Sequence, residues 1–530
     1  MLRHPKAAGF IEAEKAELDS FMTNGYAEYV DFSSWKSSGK PLGHIVWIYK
    51  DRPGDAVQTA CQRSRACYDP RGQQVDSGDP HITNFAPALP IEQQRFLWAE
   101  CCQEQMHCIG FDVEKAYLNA TLEPGKEYYS RCAPGHDVPG KVIKWTSAIY
   151  GAPPSARAWY DTNVSTLAKF PIGNGLRPLK TAPSIFINSS SHGTLIVGIN
   201  TDDGICLASN ELLLGELQSF YNSQYKVRWG KTDKFGGINV EHDEEHHIVK
   251  LHQHDYVESI WQKWKHRVSP SRPGGERGAS APRLPATRRD LEDLVSPQAL
   301  QANLPVDPKL LREWQSALGD YGWATKTRDD HLTTFSKYAQ AASCPNERLM
   351  QCLLTSIYSM REYPSVITFR KSSETSPVAY VDADLGTCRS QTGYCFFYAN
   401  ACILAVSKVQ RCITLSACES ELVALSAAAC DAIWLRNLLV EIGKPMDNPT
   451  RIYCDNLAAR TVSHNPTSAK NLKHVARRHF FVQDLTKTKE VVVPGVESAN
   501  NYADILTKLY DSPTHFEYLA GKLRSWDTAT

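Results

Sequence analysis

The feature that most constrains this chain is a pair of adjacent acids between two apolar runs. Thr194-Leu-Ile-Val-Gly-Ile-Asn200 leads into Thr201-Asp202-Asp203-Gly204, and Ile205-Cys-Leu-Ala208 follows. Apolar runs separated by a short polar bend predict a β-hairpin. Two acids at its tip are either surface decoration or carboxylates presented on a rigid support. Asp112 closes a further predicted strand, Ile109-Gly-Phe-Asp112, and supplies a third acid of the same kind. Carboxylates held by rigid elements suit phosphoryl transfer with two divalent ions roughly 3.5–4 Å apart. Mg²⁺ asks only for hard oxygen ligands.

A second set lies in the last third. Asp382 ends the run Val378-Ala-Tyr-Val381, Glu419 lies in the first turn of a long helix predicted from 418 to about 441, and Asp455 ends Arg451-Ile-Tyr-Cys454. Asp504 is expected to start the last helix. Each acid alone reads equally as a cap or a solvated residue. Together, at the ends of successive elements, they converge if the strands are neighbours. Asp384 and Glu421 read as adjoining acids rather than ligands.

Composition bounds these readings. The 530 residues suit three to four domains. At 42% apolar and 22% charged, the chain is not a disordered one. Lys plus Arg (58) equals Asp plus Glu (58), which excludes a purely basic binder but not a local basic face. The 16 cysteines form neither a dense disulfide framework nor any CxxC pair at zinc spacing. No apolar signal core follows Met1, and the longest greasy stretch, 395–409, is too short to span a bilayer. An intracellular chain away from membranes is expected. Phosphate-binding loop, nucleophile-elbow and zincin motifs are absent.

Periodicity predicts helices within 11–30 (Ile11, Leu18, Phe21 and Met22 on one face), 90–105, 155–167 and 211–225, with strands at 44–50 and 184–188. From Trp261 to Arg289 there are eight Lys/Arg against one acid amid Pro and Gly, which reads as a flexible basic linker, an irregular insertion or, equally, a solvated surface loop. Residues 308–365 read as helices with Leu310, Trp314, Leu318 and Tyr321 on one face. Strands are expected at 377–382, 393–398, 401–405, 450–455 and 490–494.

The motifs resemble a known family. Phe111-Asp-Val-Glu-Lys-Ala-Tyr-Leu-Asn119, Ile149-Tyr-Gly151, Arg157-Ala-Trp-Tyr160 and Asp202-Asp203 resemble blocks of the reverse transcriptase domain of copia-type retrotransposon polyproteins; Asn84-Phe-Ala-Pro-Ala-Leu-Pro90 does so more weakly. Tyr380-Val-Asp-Ala-Asp384, Ser390-Gln-Thr-Gly-Tyr394, Thr414–Glu421, Ile433-Trp-Leu435, Tyr453-Cys-Asp-Asn456 and Ala503–Lys508 resemble, in order, the ribonuclease H domain of the same polyproteins.

The resemblance implies a multidomain α+β and α/β fold: a right-hand polymerase with fingers, palm and partial thumb, then a ribonuclease H-like mixed-sheet domain. Its expected boundaries are 12–260 for the reverse transcriptase, 261–307 for the linker or insertion, 308–365 for a helical connection, 366–512 for the nuclease and 513–530 for a tail. It implies that Asp112, Asp202 and Asp203, and separately Asp382, Glu419, Asp455 and Asp504, hold Mg²⁺ or Mn²⁺, two ions per site. Arg63 and Arg65 would hold a triphosphate, Tyr117 would pack under the incoming sugar, and Arg157 and His474 would contact substrate. Implied partners are an RNA template, a DNA primer, deoxynucleoside triphosphates and an RNA–DNA hybrid, in the cytoplasm or nucleus. The chain departs from the family at Asn200-Thr201, where Tyr-Val is usual, and at Pro154, where a Gln is usual. An inactive remnant that keeps nucleic-acid binding is the alternative.

Overall fold

A computed structural model describes residues 6–52, 61–71, 84–123, 125–278, 280–386, 388–464 and 476–526. The first sheet has the strand order Ala27–Asp31, Lys141–Trp145, Tyr128–Ser130, Leu42–Arg52, Cys61–Asp69. Helix Ala7–Thr23 covers it with Phe10, Leu18 and Phe21, together with Glu14. Ile11, expected on that face, is 41% exposed. The helix ends before Gly25, whose φ of +70° suits a residue without a side chain.

The second sheet has the order Val227–Gly230, His107–Val113, Asp203–Ala208, Gly193–Asn200, Ile185–Ser190, Arg177–Pro178. The expected hairpin is its centre: Asn200 pairs with Asp203, leaving Thr201 and Asp202 as the turn. Both faces of these strands are buried, which explains their unbroken apolar runs. Helices Ile91–Gln103, Ser155–Leu167 and Glu211–Gln224 cover it, close to their expected bounds. Pro154 is tolerated before Ser155 because a helix start has no partner for its missing N–H.

Three domain expectations are corrected. Residues 261–307 are not a loose linker. Trp261 and Trp264 belong to helix His254–Trp264, and Leu291, Leu294 and Val295 share a core with Trp314, Tyr321 and Leu353. The interspersed apolar residues anchor the segment at both ends of its surface loop, and Arg267 pairs with Glu313 at 3.0 Å. Position 366 is not a clean boundary, since Ile367–Phe369 adds to the sheet of Lys234–Phe235, Ile238–Asp243 and Ile248–His252. Residues beyond 513 are not a tail: helix Pro513–Arg524 buries Phe516, Leu519 and Leu523 in a core shared with Val378 and Phe397.

The last sheet runs Ala401–Val409, Gln391–Tyr398, Val378–Asp384, Thr450–Cys454, Val491–Val492. Its first three strands are antiparallel, and the pairs Val378–Asp384/Thr450–Cys454 and Thr450–Cys454/Val491–Val492 are parallel. Helix Ala417–Glu441 lies on it. That helix is long and apolar enough to cross a bilayer, yet Leu422, Leu425, Ala428, Leu435 and Leu438 are buried against the sheet.

One core runs across both halves, from Phe96, Leu97 and Ile205 to Phe396, Tyr398 and Leu425. Arg95 crosses the seam, its guanidinium bidentate to Asp329 at 2.8 and 3.0 Å with both groups buried. Glu441 closes another part of the seam by accepting from the backbone N–H of Lys180 at 2.6 Å.

Candidate functional site

The first acid group sits where the hairpin meets strand His107–Val113. Asp203 pairs directly with Asp112, and Val113 N–H donates to the Asp202 carbonyl at 2.9 Å. Thr201 holds φ +65°, an uncommon conformation for a β-branched residue, so the tip is strained. Trp159 Nε1 donates to the Thr201 carbonyl at 2.6 Å and steadies it. Burial, then the charges of Asp202 and Asp112, push Asp203 up to about 6. Burial and Asp112 also raise Asp202, while Arg65 and Arg63 oppose the shift.

Those two arginines come from the first sheet. The Arg65 guanidinium lies 4.3 Å from the centre of the Tyr150 ring, and that ring is 5.1 Å from the ring of Tyr117. Strand Cys61–Asp69 thus brings positive charge toward Asp202, where Tyr117 and Tyr150 from other segments pack with it. Arg157 pairs with Asp161 at 2.8 Å and lines a cleft of ≈ 830 Å³ with Lys40, Tyr128, Pro154 and Lys169.

The second acid group is tighter. Asp382 and Asp455 stand at the same end of neighbouring parallel strands, where Val381 pairs with Cys454. Glu421 reaches them from the long helix. Ligand atoms of Asp382, Glu421 and Asp455 all lie within 4.8 Å of one another, the only such triple of acid, His or Cys groups among the described residues.

Glu419, expected as the ligand, does not enter the cluster. Ser416 Oγ accepts from Glu419 N–H at 3.2 Å, and the Glu419 carboxylate accepts from Leu415 N–H at 2.6 Å. The pair caps the helix start much as a capping box does, with the return bond one residue earlier, and holds Glu419 there. Two residues further on, about 200° round the helix, Glu421 faces the sheet. The Ser-x-x-Glu pattern before an apolar run was legible in the sequence and separates the two roles.

Burial pushes Glu421 up to about 9, helped by the charges of Asp382 and Asp455. Its Oε2 is buried without a hydrogen-bond partner. Burial likewise pushes Asp382 up to about 7, with Lys508 opposing and Asp504 adding. An orphaned carboxylate oxygen facing two further carboxylates fits a hard divalent cation, and these three residues could hold one.

Asp504 lies beside the triad and opens a one-turn 3₁₀ helix, Asp504–Leu506, rather than the last helix, Pro513–Arg524. The turn approaches closely because residue 393, opposite Asp382, is glycine; a Cβ there would stand 2.6 Å from Thr507 Cγ2. Thr507 Oγ1 donates to Asp382. Lys508, which sequence reasoning missed, places Nζ 2.8 Å from Asp504 Oδ1 and 3.5 Å from Asp382 Oδ2. Burial works against its ammonium, but Asp382 and Asp504 outweigh that and hold it charged. Ser498 Oγ donates to Asp455 at 2.7 Å. His474 lies outside the described residues.

Comparison with known proteins agrees with this geometry. Residues 29–268 match the family described as reverse transcriptase (RNA-dependent DNA polymerase). The retrovirus-related Pol polyprotein from transposon TNT 1-94 of Nicotiana tabacum is 23% identical over 96% of this chain and 37% of its own length. That from transposon RE1 of Arabidopsis thaliana is 22% identical over 92% of this chain and 32% of its own. The chain thus spans about a third of the length of these relatives. The foamy viral protease-reverse transcriptase solved with dsDNA has the same fold: TM-score 0.51, 12% identity, covering 92% of this chain and 83% of that one. Its complex with an RNA/DNA hybrid gives 0.50 and 12% over 94% of this chain and 56% of that one. Residues 29–268 are therefore a reverse transcriptase domain, and the chain is similar to copia-type retrotransposon Pol polyproteins, in a right-hand polymerase fold followed by a ribonuclease H-like domain.

Proposed function

We propose that the chain acts on RNA and DNA at two sites, as an RNA-directed DNA polymerase in its first half and as a ribonuclease on RNA–DNA hybrids in its last third. The observation that carries this reading is the buried Asp382–Glu421–Asp455 cluster with its unpartnered Glu421 oxygen. The solved foamy viral enzyme binds dsDNA and, in another complex, an RNA/DNA hybrid, which supports nucleic acid as the substrate class here.

In the nuclease site Asp382, Glu421 and Asp455 would hold one divalent cation, with Asp504 beside them for a second. Bound there, Mg²⁺ or Mn²⁺ would supply Lewis acidity and an acidified water for phosphodiester cleavage. Glu421 must give up its proton for this, and Lys508 and Thr507 orient Asp382 from the opposite side. In the palm, Asp112, Asp202 and Asp203 would hold the ions, Arg63 and Arg65 would face the triphosphate, and Tyr117 would lie under the sugar. His474 remains a candidate substrate contact. Such work belongs in the cytoplasm or nucleus.

The test uses the full chain and a labelled RNA strand paired with DNA, in Mg²⁺ and then Mn²⁺. Cleavage that disappears in Asp455→Asn is the expected result. Folded protein that cuts nothing with either metal overturns the nuclease. A second reading, a nuclease with a lapsed polymerase, is favoured by Pro154 in the palm cleft and by palm acids that do not gather as tightly as the triad. Hybrid cleavage without primer extension on an RNA template would select it.

A further inference from the structure

The acids of the nuclease site form two groups that share Asp382. One is the triad Asp382, Glu421 and Asp455, with ligand atoms within 4.8 Å. Glu421 there is 4% exposed and its Oε2 has no hydrogen-bond partner. The other is the pair Asp382 and Asp504, and a cation already bridges it. Lys508 Nζ stands 2.8 Å from Asp504 Oδ1 and 3.5 Å from Asp382 Oδ2. The chain delivers that ammonium by its own turn: Lys508 N–H donates to the Asp504 carbonyl at 2.9 Å, so the side chain returns over the acid four residues earlier. Thr507, fully buried, ties the same turn to Asp382. Among the described ion pairs, Lys508 is the partner of both acids.

We propose that Lys508 is a tethered counter-ion occupying the Asp382–Asp504 position, so that the two cation positions of this site are unequal. The triad takes a divalent ion directly. A second ion enters only by displacing the ammonium, which then swings toward solvent or toward a phosphate of the substrate. The physical basis is charge: two buried carboxylates that approach each other need a cation between them, and a covalently tethered one competes with any free ion. Lys508 thereby makes Asp504 a stable part of the fold before metal or substrate arrives. It acts as a positioning residue and sets the concentration of Mg²⁺ at which the site fills. The proposal rests on the nuclease reading above, since it assumes that the triad takes a metal ion.

Mn²⁺ titration of the full chain, with free Mn²⁺ counted by electron paramagnetic resonance, tests it without any activity. Lys508→Met is expected to gain one tightly bound ion over the wild type, that ion binding at least about tenfold more tightly. Lys508→Arg keeps the cation and should titrate as wild type. Ions bound in the palm cancel in these differences. If Lys508→Met and the wild type bind equal numbers with equal affinity, the proposal falls; it also falls if Lys508→Arg gains the ion. A wild-type measurement guards against a variant that fails to fold. Acetic anhydride should label Lys508 several-fold faster at saturating Mg²⁺ than in EDTA, read by mass spectrometry. Equal labelling overturns the proposal. Failure of the underlying reading looks different: Asp455→Asn and Glu421→Gln would then bind as many Mn²⁺ ions as the wild type.

Discussion

The two acid groups of this protein solve the same electrostatic problem differently. In the palm, Asp112, Asp202 and Asp203 are half-buried at the hairpin turn, and the compensating charge comes from another sheet, through Arg63 and Arg65. In the nuclease, Asp382, Glu421 and Asp504 are buried, and the compensating charge is local, through Lys508. Burial makes the difference. Asp203 rises only to about 6, whereas Glu421 rises to about 9. A half-exposed group can wait for a cation from solvent or from a closing hairpin. A buried group must carry its cation, its proton, or both.

The comparison breaks most severely if the two regions are really one. Arg95 on the palm helix holds Asp329 of the helical connection across a buried seam. Arg95→Met should leave Asp329 buried and unpaired and cost about 3–5 kcal/mol, read by urea denaturation. A loss below about 1 kcal/mol would mean that this ion pair adds little to the joining of the halves.

The next effect separates the two sites. Glu421→Gln should slow hybrid cleavage by at least about a hundredfold while primer extension, where present, is unchanged. An unaltered cleavage rate would return the ligand role to another acid.

Titration sharpens the contrast further. Unfolded Glu421 ionises near about pH 4.3, but folded it holds its proton to about 9. Between those values the metal-free folded state carries the extra proton, so stability falls as pH rises, by up to about 1.4 kcal/mol per pH unit. Glu421→Gln lacks that slope. In EDTA its stability relative to wild type should grow from about pH 5 to about pH 9, and saturating Mg²⁺ should erase the gain. A difference that stays flat with pH would mean that Glu421 is ionised in the fold.

The smallest effect isolates the cap. Glu419→Gln should cost about 1 kcal/mol or less and leave cleavage intact. A cleavage loss matching that of Glu421→Gln would put Glu419 back among the ligands.

Elements whose signal is local were legible along the chain. Unbroken apolar runs around Asp202-Asp203 specify the hairpin, and two residues between paired strands leave little choice of register. Asp382 and Asp455 were legible as strand-end acids because each closes a short apolar run. Helix Ser155–Leu167 was readable from its period despite the prolines before it.

Direction and partnership came instead from the assembled fold. The Ser-x-x-Glu pattern marks Glu419 as a cap, but only the packing of Leu422 and Leu425 against the sheet turns Glu421 toward Asp382 and Asp455. Lys508 looks like an ordinary surface lysine until the glycine at 393 lets its turn close on Asp382. Residues 261–307 and the helix Pro513–Arg524 read as linker and tail because their apolar residues are sparse along the chain. Those apolar residues are core because distant segments supply the rest of each cluster. Periodicity reports how a segment can bury one face, but the partner for that face lies elsewhere in the chain, and the free energy that selects it belongs to the assembled core.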